Sequence, residues 1–244
     1  MFGISTRAES SYTRRVVCMG LSESSASTLR FLCAIYLTAS ESPRVTLSVV
    51  GRRLGVSAPA VSRRATRLIR RGYLMRDGAC GLVLTSKGER VALKAIRKQE
   101  VCEAFLAGVV GYRWDEVFPI AWNMAVHLPD ELIERMYLQA GKPKRCPHGH
   151  PIPTPDGRIE PILDQPLPTL RDHQCGTVSR VLTHDPELLR YLDAIHLRPG
   201  SQVRVLGRAP FNGPIHIAVC VGERETETAI GTEAASYVHV EWVR

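Results

Sequence analysis

The chain has 244 residues, and its 32 Lys and Arg against 24 Asp and Glu give a formal net charge of +8 at pH 7. This length allows two domains with separate cores, and the positive excess favours a polyanionic partner. No apolar stretch approaches the length of a membrane span, and the N-terminus lacks the apolar core of a secretory signal, so we expect neither a membrane protein nor a secreted one. The seven cysteines include no CxxC pair, which favours reduced thiols in a cytoplasmic protein over a disulfide framework.

The first 26 residues are polar and rich in Ser and Arg, and they lack helical or strand periodicity, which predicts a mobile tail. A helix is predicted from about Ser27, because the apolar residues between Leu29 and Leu37 give it a dense apolar face. We expect this helix to pack beneath the segment that follows it.

The segment from Arg44 to Leu84 predicts a winged helix-turn-helix within a DNA-binding domain that spans residues 27–88. Thr46 is placed to cap a first short helix, and Gly55 is placed to end it. After a second helix, two short apolar strands flank Asp77-Gly78, which is a turn signal for a β-hairpin.

The second helix of this segment has one apolar stripe and one polar face rich in arginine. Ser57 is predicted to cap it, and Pro59 suits its first turn. A helix docked in the major groove reads bases mainly with its N-terminal residues, and Arg63 is the best candidate because Arg pairs well with guanine. A basic helix alone could simply be solvated, but the capped turn before it and the hairpin after it favour DNA binding. The predicted DNA-binding residues are Ser57, Ala58, Pro59, Ala60, Ser62, Arg63, Arg64, Arg67 and Arg70, the last three as phosphate contacts.

Residues 89–140 are predicted to form three helices, of which the first is capped by Thr85 and the others begin near Asp115 and Asp130. Together they carry more apolar surface than one small winged domain can bury. A symmetric homodimer that covers this surface is the economical explanation.

Residues 141–176 form a Pro-rich linker that carries metal-ligating side chains. Their Cys-x-His-x-His and His-x-Cys spacings could form a zinc site, and a zinc-binding protein or zinc enzyme is the alternative function. No His-Glu-x-x-His pattern supplies a general base, and we favour a connector whose side chains settle locally. The residues concerned are Cys146, His148, His150, His173 and Cys175.

From residue 177 to residue 244 the pattern becomes alternating, as in the stretch Ile215–Val221. A short helix is predicted just after Asp185, with Asp185 or His184 as its cap. The pattern predicts a small β-barrel domain.

The order of these motifs resembles the diphtheria-toxin-repressor family from about Ser27 to Arg244. The resemblance rests on Ser57-x-Pro59-x-Val61-Ser62, Leu84-Thr85-x-x-Gly88, Asp130-Glu131 and Cys146-Pro147-His148-Gly149-x-Pro151-Ile152-Pro153. It implies a mostly α, α+β fold with a winged helix-turn-helix, a helical dimerisation region and an SH3-like C-terminal barrel. It also implies a DNA-binding repressor of iron or manganese uptake genes that works as a homodimer and is not an enzyme.

The resemblance implies a primary metal site between the first helix and the second helix after the wing. The family's ligand positions fall here on Arg30, Trp122, Ala125 and Val126, none of which ligates a metal. A one-residue slip would bring in His127, but no carboxylate accompanies it. We therefore expect no metal at the primary site.

The family's ancillary metal site falls on Gln99, Glu103, Phe118, His184 and Glu187. Glu103, His184 and Glu187 are ligand-capable and predict a residual site for a divalent transition metal, iron or manganese. The alternative is that Glu103 is a solvated helix residue and that the other two are capping groups. Three kinds of control remain open. DNA binding is controlled by a metal at this residual site, it is independent of metal, or it responds to oxidation of a thiol such as Cys33 or Cys102.

Overall fold

The computed structural model describes residues 25–42, 44–78, 81–222 and 224–242, so the predicted tail lies outside the described residues except for its last two. The described helices are α1 (Ala26–Glu41), α2 (Leu47–Leu54), α3 (Ala58–Arg70), α4 (Ser86–Phe105), α5 (Val117–Ala125), α6 (Asp130–Gln139), α7 (Pro186–Ala194) and α8 (Thr232–Ser236). The described strands are β1 (Leu74–Asp77), β2 (Gly81–Leu84), β3 (Asp164–Pro166), β4 (Cys175–Val181), β5 (Gln202–Arg208), β6 (Ile215–Val221), β7 (Arg224–Ile230) and β8 (Val238–Trp242). None of the described helices has both the length and the apolar character needed to cross a membrane.

The helices α1 to α3 and the β1–β2 hairpin build the predicted winged helix-turn-helix. The Thr46 hydroxyl accepts the N–H of Val49 at 3.3 Å, and Gly55 ends α2 with a left-handed φ of 67°. Ser57 occupies the N-cap position of α3, but its side chain accepts no hydrogen bond, so the predicted side-chain cap is wrong. The start of α3 relies instead on Pro59, whose ring fixes a helical φ within the first turn.

The core of the winged domain joins α1 to α3 and to the wing. Phe31 and Leu32 of α1 are buried against Val61 and Leu68 of α3 and against Leu82 of β2. These residues fall at helical spacing on α1 and α3, which is why the apolar pattern along the chain predicted this packing.

The long helix α4 is the element on which the rest of the molecule packs. The hydroxyl oxygen of Thr85 accepts the N–H of Gly88 at 3.1 Å, which is the predicted cap, and a π-helical turn at Leu106–Val110 ends the helix. One side of α4 packs against α1, and its C-terminal half packs against α5 and α6 around Val101. Of the buried polar residues of α4, Arg97 and Lys98 pair with Glu134 and Asp130 of α6, while Glu103 faces His148 of the segment after α6.

The C-terminal domain is a six-stranded antiparallel sheet in the order β3-β8-β4-β5-β6-β7. Within the described residues the sheet is open, with β3 and β7 at its edges. Strand β3 and the start of β4 fall in residues 141–176, so the sheet begins inside the stretch predicted as a linker. Of the two predicted caps of α7, Asp185 and His184, the structure shows Asp185, whose carboxylate accepts the N–H groups of Glu187 and Leu188.

Candidate functional site

Five ligand-capable side chains meet in a buried region beside α4, and we call them the α4 cluster. They are Glu100, Glu103, Cys146, His148 and His184. Glu100 and Glu103 lie on α4, and His184 lies in the loop before α7. Cys146 and His148 lie in a turn at residues 146–149, which we call the linker turn. Glu103 and His148 have no exposed surface.

The linker turn is held in place by a close backbone contact at Gly149. This residue has a φ of 87°, and a Cβ added to it would lie 2.1 Å from the carbonyl oxygen of Ser179. Only glycine permits that approach. The carbonyl oxygen of His148 accepts the N–H of Val181 at 2.9 Å, so β4 fixes the turn that carries His148.

The distances within the α4 cluster are those of a preformed group of ligands. Nδ1 of His148 lies 2.9 Å from Oε2 of Glu103, and the amide nitrogen of Gln99 donates to Oε1 of Glu103 at 2.9 Å. The ligand atoms of Glu103, His148 and His184 all lie within 4.8 Å of one another. A second group, made of Glu100, Glu103 and Cys146, meets the same limit.

The ring of His184 is oriented by its aromatic neighbours. It stacks on Phe118 with ring centroids 3.6 Å apart, and it meets the ring of His148 edge-on at 5.2 Å. Phe118, which stands at one of the family's ancillary ligand positions, therefore orients the ring of His184 by stacking.

Burial sets the charge state of the α4 cluster. It lowers the pKa of His184 to about 3 against the opposing charge of Glu103, so this imidazole is neutral near pH 7 and free to coordinate. Burial alone would raise the pKa of Glu103, but the hydrogen bond and charge of His148 lower it below its ordinary value. Burial and the neighbouring Glu103 raise the pKa of Glu100, and burial together with Glu100 raises that of Cys146.

Two atoms of the α4 cluster lack partners. Nε2 of His148 and Oε2 of Glu100 are buried and have no hydrogen-bond partner among the described residues. Buried polar atoms without partners cost free energy, and a bound ion offsets that cost. Imidazole, carboxylate and thiolate groups are together the ligands of transition metals, so the residues present fit a divalent ion of that class.

The structure separates the remaining predicted metal ligands from the α4 cluster. Glu187 is exposed in the first turn of α7 and belongs to neither group of ligand atoms found among the described residues. His173 and Cys175 are exposed, so the structure does not assemble the five-residue zinc cluster predicted for the linker. His150 lies closer, with its ring 6.3 Å from that of His184, and burial lowers its pKa to about 4.

Sequence reasoning missed that His148 joins Glu103 and His184, and that Cys146 joins Glu100 and Glu103. A signal is present in the sequence, because the Cys-Pro-His-Gly turn is part of the family resemblance and carries two ligand-capable residues. What the sequence lacked was the fold of the linker, which brings this turn against α4.

The resemblance assigns the family's primary metal site to Arg30, Trp122, Ala125 and Val126, with His127 beside them. Trp122 and Val126 are partly buried and pack against Leu29 and Cys33 of α1. Ala125 is buried in the helical core, and Arg30 and His127 are exposed.

The polar face of α3 is open to solvent. Arg63, Arg67 and Arg70 are exposed and form no ion pair within the described part of the chain. Arg64 is held differently, because its guanidinium lies 5.6 Å from the ring centroid of Phe31 and donates to the hydroxyl of Ser27. Of the remaining predicted contacts, Ser57 and Pro59 are exposed, and the others are partly buried, namely Ala58, Ala60 and Ser62.

Two family models match the chain over most of its C-terminal two-thirds. The iron-dependent repressor metal-binding and dimerisation domain matches residues 85–154, and the FeoA domain matches residues 165–241. Among curated relatives, the iron-dependent repressor IdeR of Mycobacterium tuberculosis is 33% identical over 104 residues, which is 43% of this chain. The chain spans 45% of the length of that relative. The diphtheria toxin repressor of Corynebacterium diphtheriae is 23% identical over 73% of this chain and 83% of its own.

Solved structures extend the similarity over nearly the whole chain. A manganese-dependent transcriptional repressor in complex with manganese is 34% identical, with a TM-score of 0.81 over 88% of this chain and 99% of its own. IdeR of T. acidophilum is 25% identical, with a TM-score of 0.72 over 88% of this chain and 97% of its own. These relatives are transcriptional repressors rather than enzymes. The chain therefore belongs to the diphtheria-toxin-repressor family of iron- and manganese-dependent transcriptional repressors.

Proposed function

We propose that this chain is a DNA-binding transcriptional repressor whose operator affinity is raised by a divalent transition metal bound at the α4 cluster. The observation that carries this proposal is the convergence of the buried Glu103 and His148 with the partly buried His184, whose ligand atoms all lie within 4.8 Å of one another. Iron and manganese are the ions expected, because relatives of this chain are iron-dependent and manganese-dependent repressors.

The proposed ligands are Glu103, His148 and His184, whose ligand atoms form one group. Two of them follow from the family resemblance, and His148 takes the place predicted for Glu187, which is exposed. An ion held by these residues links α4, the linker turn and the loop before α7. Its binding free energy therefore favours the arrangement in which the helical region and the C-terminal domain are docked together.

We also propose that DNA binding needs no ion at the family's primary site. Trp122 and Val126 already pack against α1, and the charge of Arg30 opposes a divalent cation there. The metal-free protein is thus expected to keep residual operator affinity, because α1 stays packed on α5.

The proposed DNA contacts lie on α3, with Arg63 reading a base and Arg67 and Arg70 contacting phosphates. A homodimer would present two such helices to successive major grooves. Support for a dimer comes from the helical region, where Leu132 and Leu138 of α6 are exposed apolar side chains.

The experiment compares metal content and operator affinity in the wild type, in the double variant Glu103→Ala, His184→Ala, and in His127→Ala. After chelation and reloading with manganese(II) or iron(II), we expect the wild type and His127→Ala to bind an ion, and the double variant to bind none. Metal should raise operator affinity about tenfold in the first two only, a typical coupling strength. Metal-restored binding that survives the double variant but not His127→Ala would place the ion at the primary site instead.

A structural zinc site is the second candidate function for the α4 cluster, and the presence of Cys146 in the group with Glu100 and Glu103 favours it, because thiolate is a common zinc ligand. In that case zinc would copurify with the protein and chelation would lower the melting temperature. Operator affinity measured below that temperature would then not depend on added iron or manganese.

A further inference from the structure

A cleft of about 460 Å³ lies where α1 and α2 face α5 and the loop before α7. A second concavity, of about 380 Å³, adjoins it and reaches the recognition helix α3. Arg30, Leu54 and Trp122 line both concavities, so the two form one continuous interdomain cleft. Each half is within the size range of small-molecule sites.

The uncompensated charge of the interdomain cleft is positive. Arg30 is exposed and makes no ion pair or hydrogen bond with the described residues, while Arg53 is neutralised by two hydrogen bonds to Glu41. Asp185 is the one acidic residue among the described residues that line the cleft, and its Oδ1 already accepts two backbone N–H groups of α7. Arg64 adds a second positive charge in the half that reaches α3. This balance selects an anion.

The wall beside Arg30 is apolar and partly aromatic. Trp122 is partly buried, packs against the cluster that contains Leu29 and Cys33, and lines both halves of the cleft together with Leu54. Such a surface favours a flat apolar group, because stacking on an aromatic side chain adds to the gain from burial. A guanidinium beside it favours a carboxylate, which it can bind through two parallel hydrogen bonds.

We propose that the interdomain cleft binds a small aromatic carboxylate, with its carboxylate on Arg30 and its ring against Trp122 and Leu54. The cleft is lined by Ala60 and Val61 of α3 as well as by residues of α5, so the bound molecule bridges the recognition helix and the helical region. This site is separate from the proposed metal ligands except at His184, which lines one side of it.

The experiment measures benzoate binding by equilibrium dialysis on the full-length protein, without DNA and in the presence of chelator. Because neither DNA nor metal is present, the outcome does not depend on the proposed function. Benzamide tests the need for charge, and inorganic phosphate tests the need for a ring. The variants are Arg30→Gln, Arg30→Lys and Trp122→Leu, with Arg90→Gln as a matched control on an exposed arginine outside the cleft. Circular dichroism and the melting temperature check the fold of each.

We expect saturable benzoate binding that Arg30→Gln weakens about tenfold, which is the loss of one charged hydrogen-bonded contact. Arg30→Lys should restore most of the affinity, Trp122→Leu should weaken binding, and Arg90→Gln should match the wild type. Benzamide and phosphate should each bind more weakly than benzoate. The proposal is overturned if benzoate shows no saturable binding, if a folded Arg30→Gln binds as the wild type does, or if phosphate displaces benzoate at equal concentration.

Discussion

The recognition helix and the α4 cluster are both polar, but they are built over very different distances along the chain. The predicted DNA contacts lie within residues 57–70, on one helix whose polar face is largely exposed. The α4 cluster brings Glu103, His148 and His184 together from three separate segments and buries the first two of them fully. The residues that share the surface of one helix can be predicted from the periodicity of its sequence. The residues that meet in a buried cluster can be identified only from the tertiary fold.

The two regions also differ in how changes to them should act. An exposed arginine is solvated before and after substitution, so its loss affects the DNA complex more than the fold. A buried carboxylate is held by several partners, and removing it leaves those partners uncompensated. The predictions below test this contrast, from the largest expected effect to the smallest.

The largest effect is expected at Asp164, a buried carboxylate that ties β3 to β4 and β8. It accepts hydrogen bonds from the hydroxyl of Ser179 at 2.6 Å and from Nε of Arg180 at 2.8 Å, and it lies 3.1 Å from Nδ1 of His239. We expect Asp164→Asn to lower the free energy of unfolding by about 3–5 kcal/mol, because Arg180 would be left without its charged partner. Urea denaturation at pH 7 measures this.

The same carboxylate predicts a pH dependence. Burial alone would raise its pKa, but the bonds from His239, Arg180 and Ser179 lower it well below the ordinary value. Because the folded pKa is the lower one, this stabilisation is present at neutral pH and is lost as the pH falls below about 5. The Asn variant should therefore lose stability less steeply than the wild type between pH 5 and pH 2. Parallel curves for the two proteins would show that Asp164 is not held as an ion.

A smaller effect is expected on the exposed face of α3. Arg63→Ala should cost about 1–3 kcal/mol of operator binding and relax specificity at one base pair. Arg67→Ala should weaken binding to all sequences alike and flatten its dependence on salt. Neither change should alter the melting temperature, since both side chains are exposed. Identical behaviour of the two variants on operator and random duplexes would contradict these roles.

The smallest effect compares two helix caps of the winged domain. Thr46→Ala removes a hydrogen bond to the N–H of Val49 and should cost about 1 kcal/mol of stability. Ser57→Ala removes no side-chain cap bond and should cost less than about 0.5 kcal/mol. Thermal unfolding of the two variants side by side measures the difference. Equal losses would mean that Ser57 does cap α3 in solution.

The winged domain was largely predictable because its signals are local. Apolar residues at helical spacing, the Thr46 and Thr85 caps and the left-handed Gly55 each follow from a few neighbouring residues. The missing bond at Ser57 was not predictable, since a residue type favoured at caps does not fix the side-chain rotamer.

The metal ligands were only partly predictable, for a different physical reason. The positions of Glu103 and His184 came from alignment with a known pattern, while His148 enters through a turn that depends on the contact of Gly149 with Ser179. That contact joins residues far apart in the chain, and no periodicity encodes it. Glu187 was predicted as a ligand by position alone, but α7 presents it to solvent.

The measurement that tests the central claim most directly is X-ray absorption spectroscopy of the protein loaded with zinc(II) as a probe ion. The account predicts two imidazole nitrogen ligands and a carboxylate oxygen ligand at about 2.0–2.2 Å. One imidazole ligand should be lost in His148→Ala and none in His173→Ala, because His148 lies 2.9 Å from Glu103 while His173 is exposed. A wild-type spectrum without imidazole ligands, or an imidazole ligand that disappears in His173→Ala, would contradict the proposed ligands.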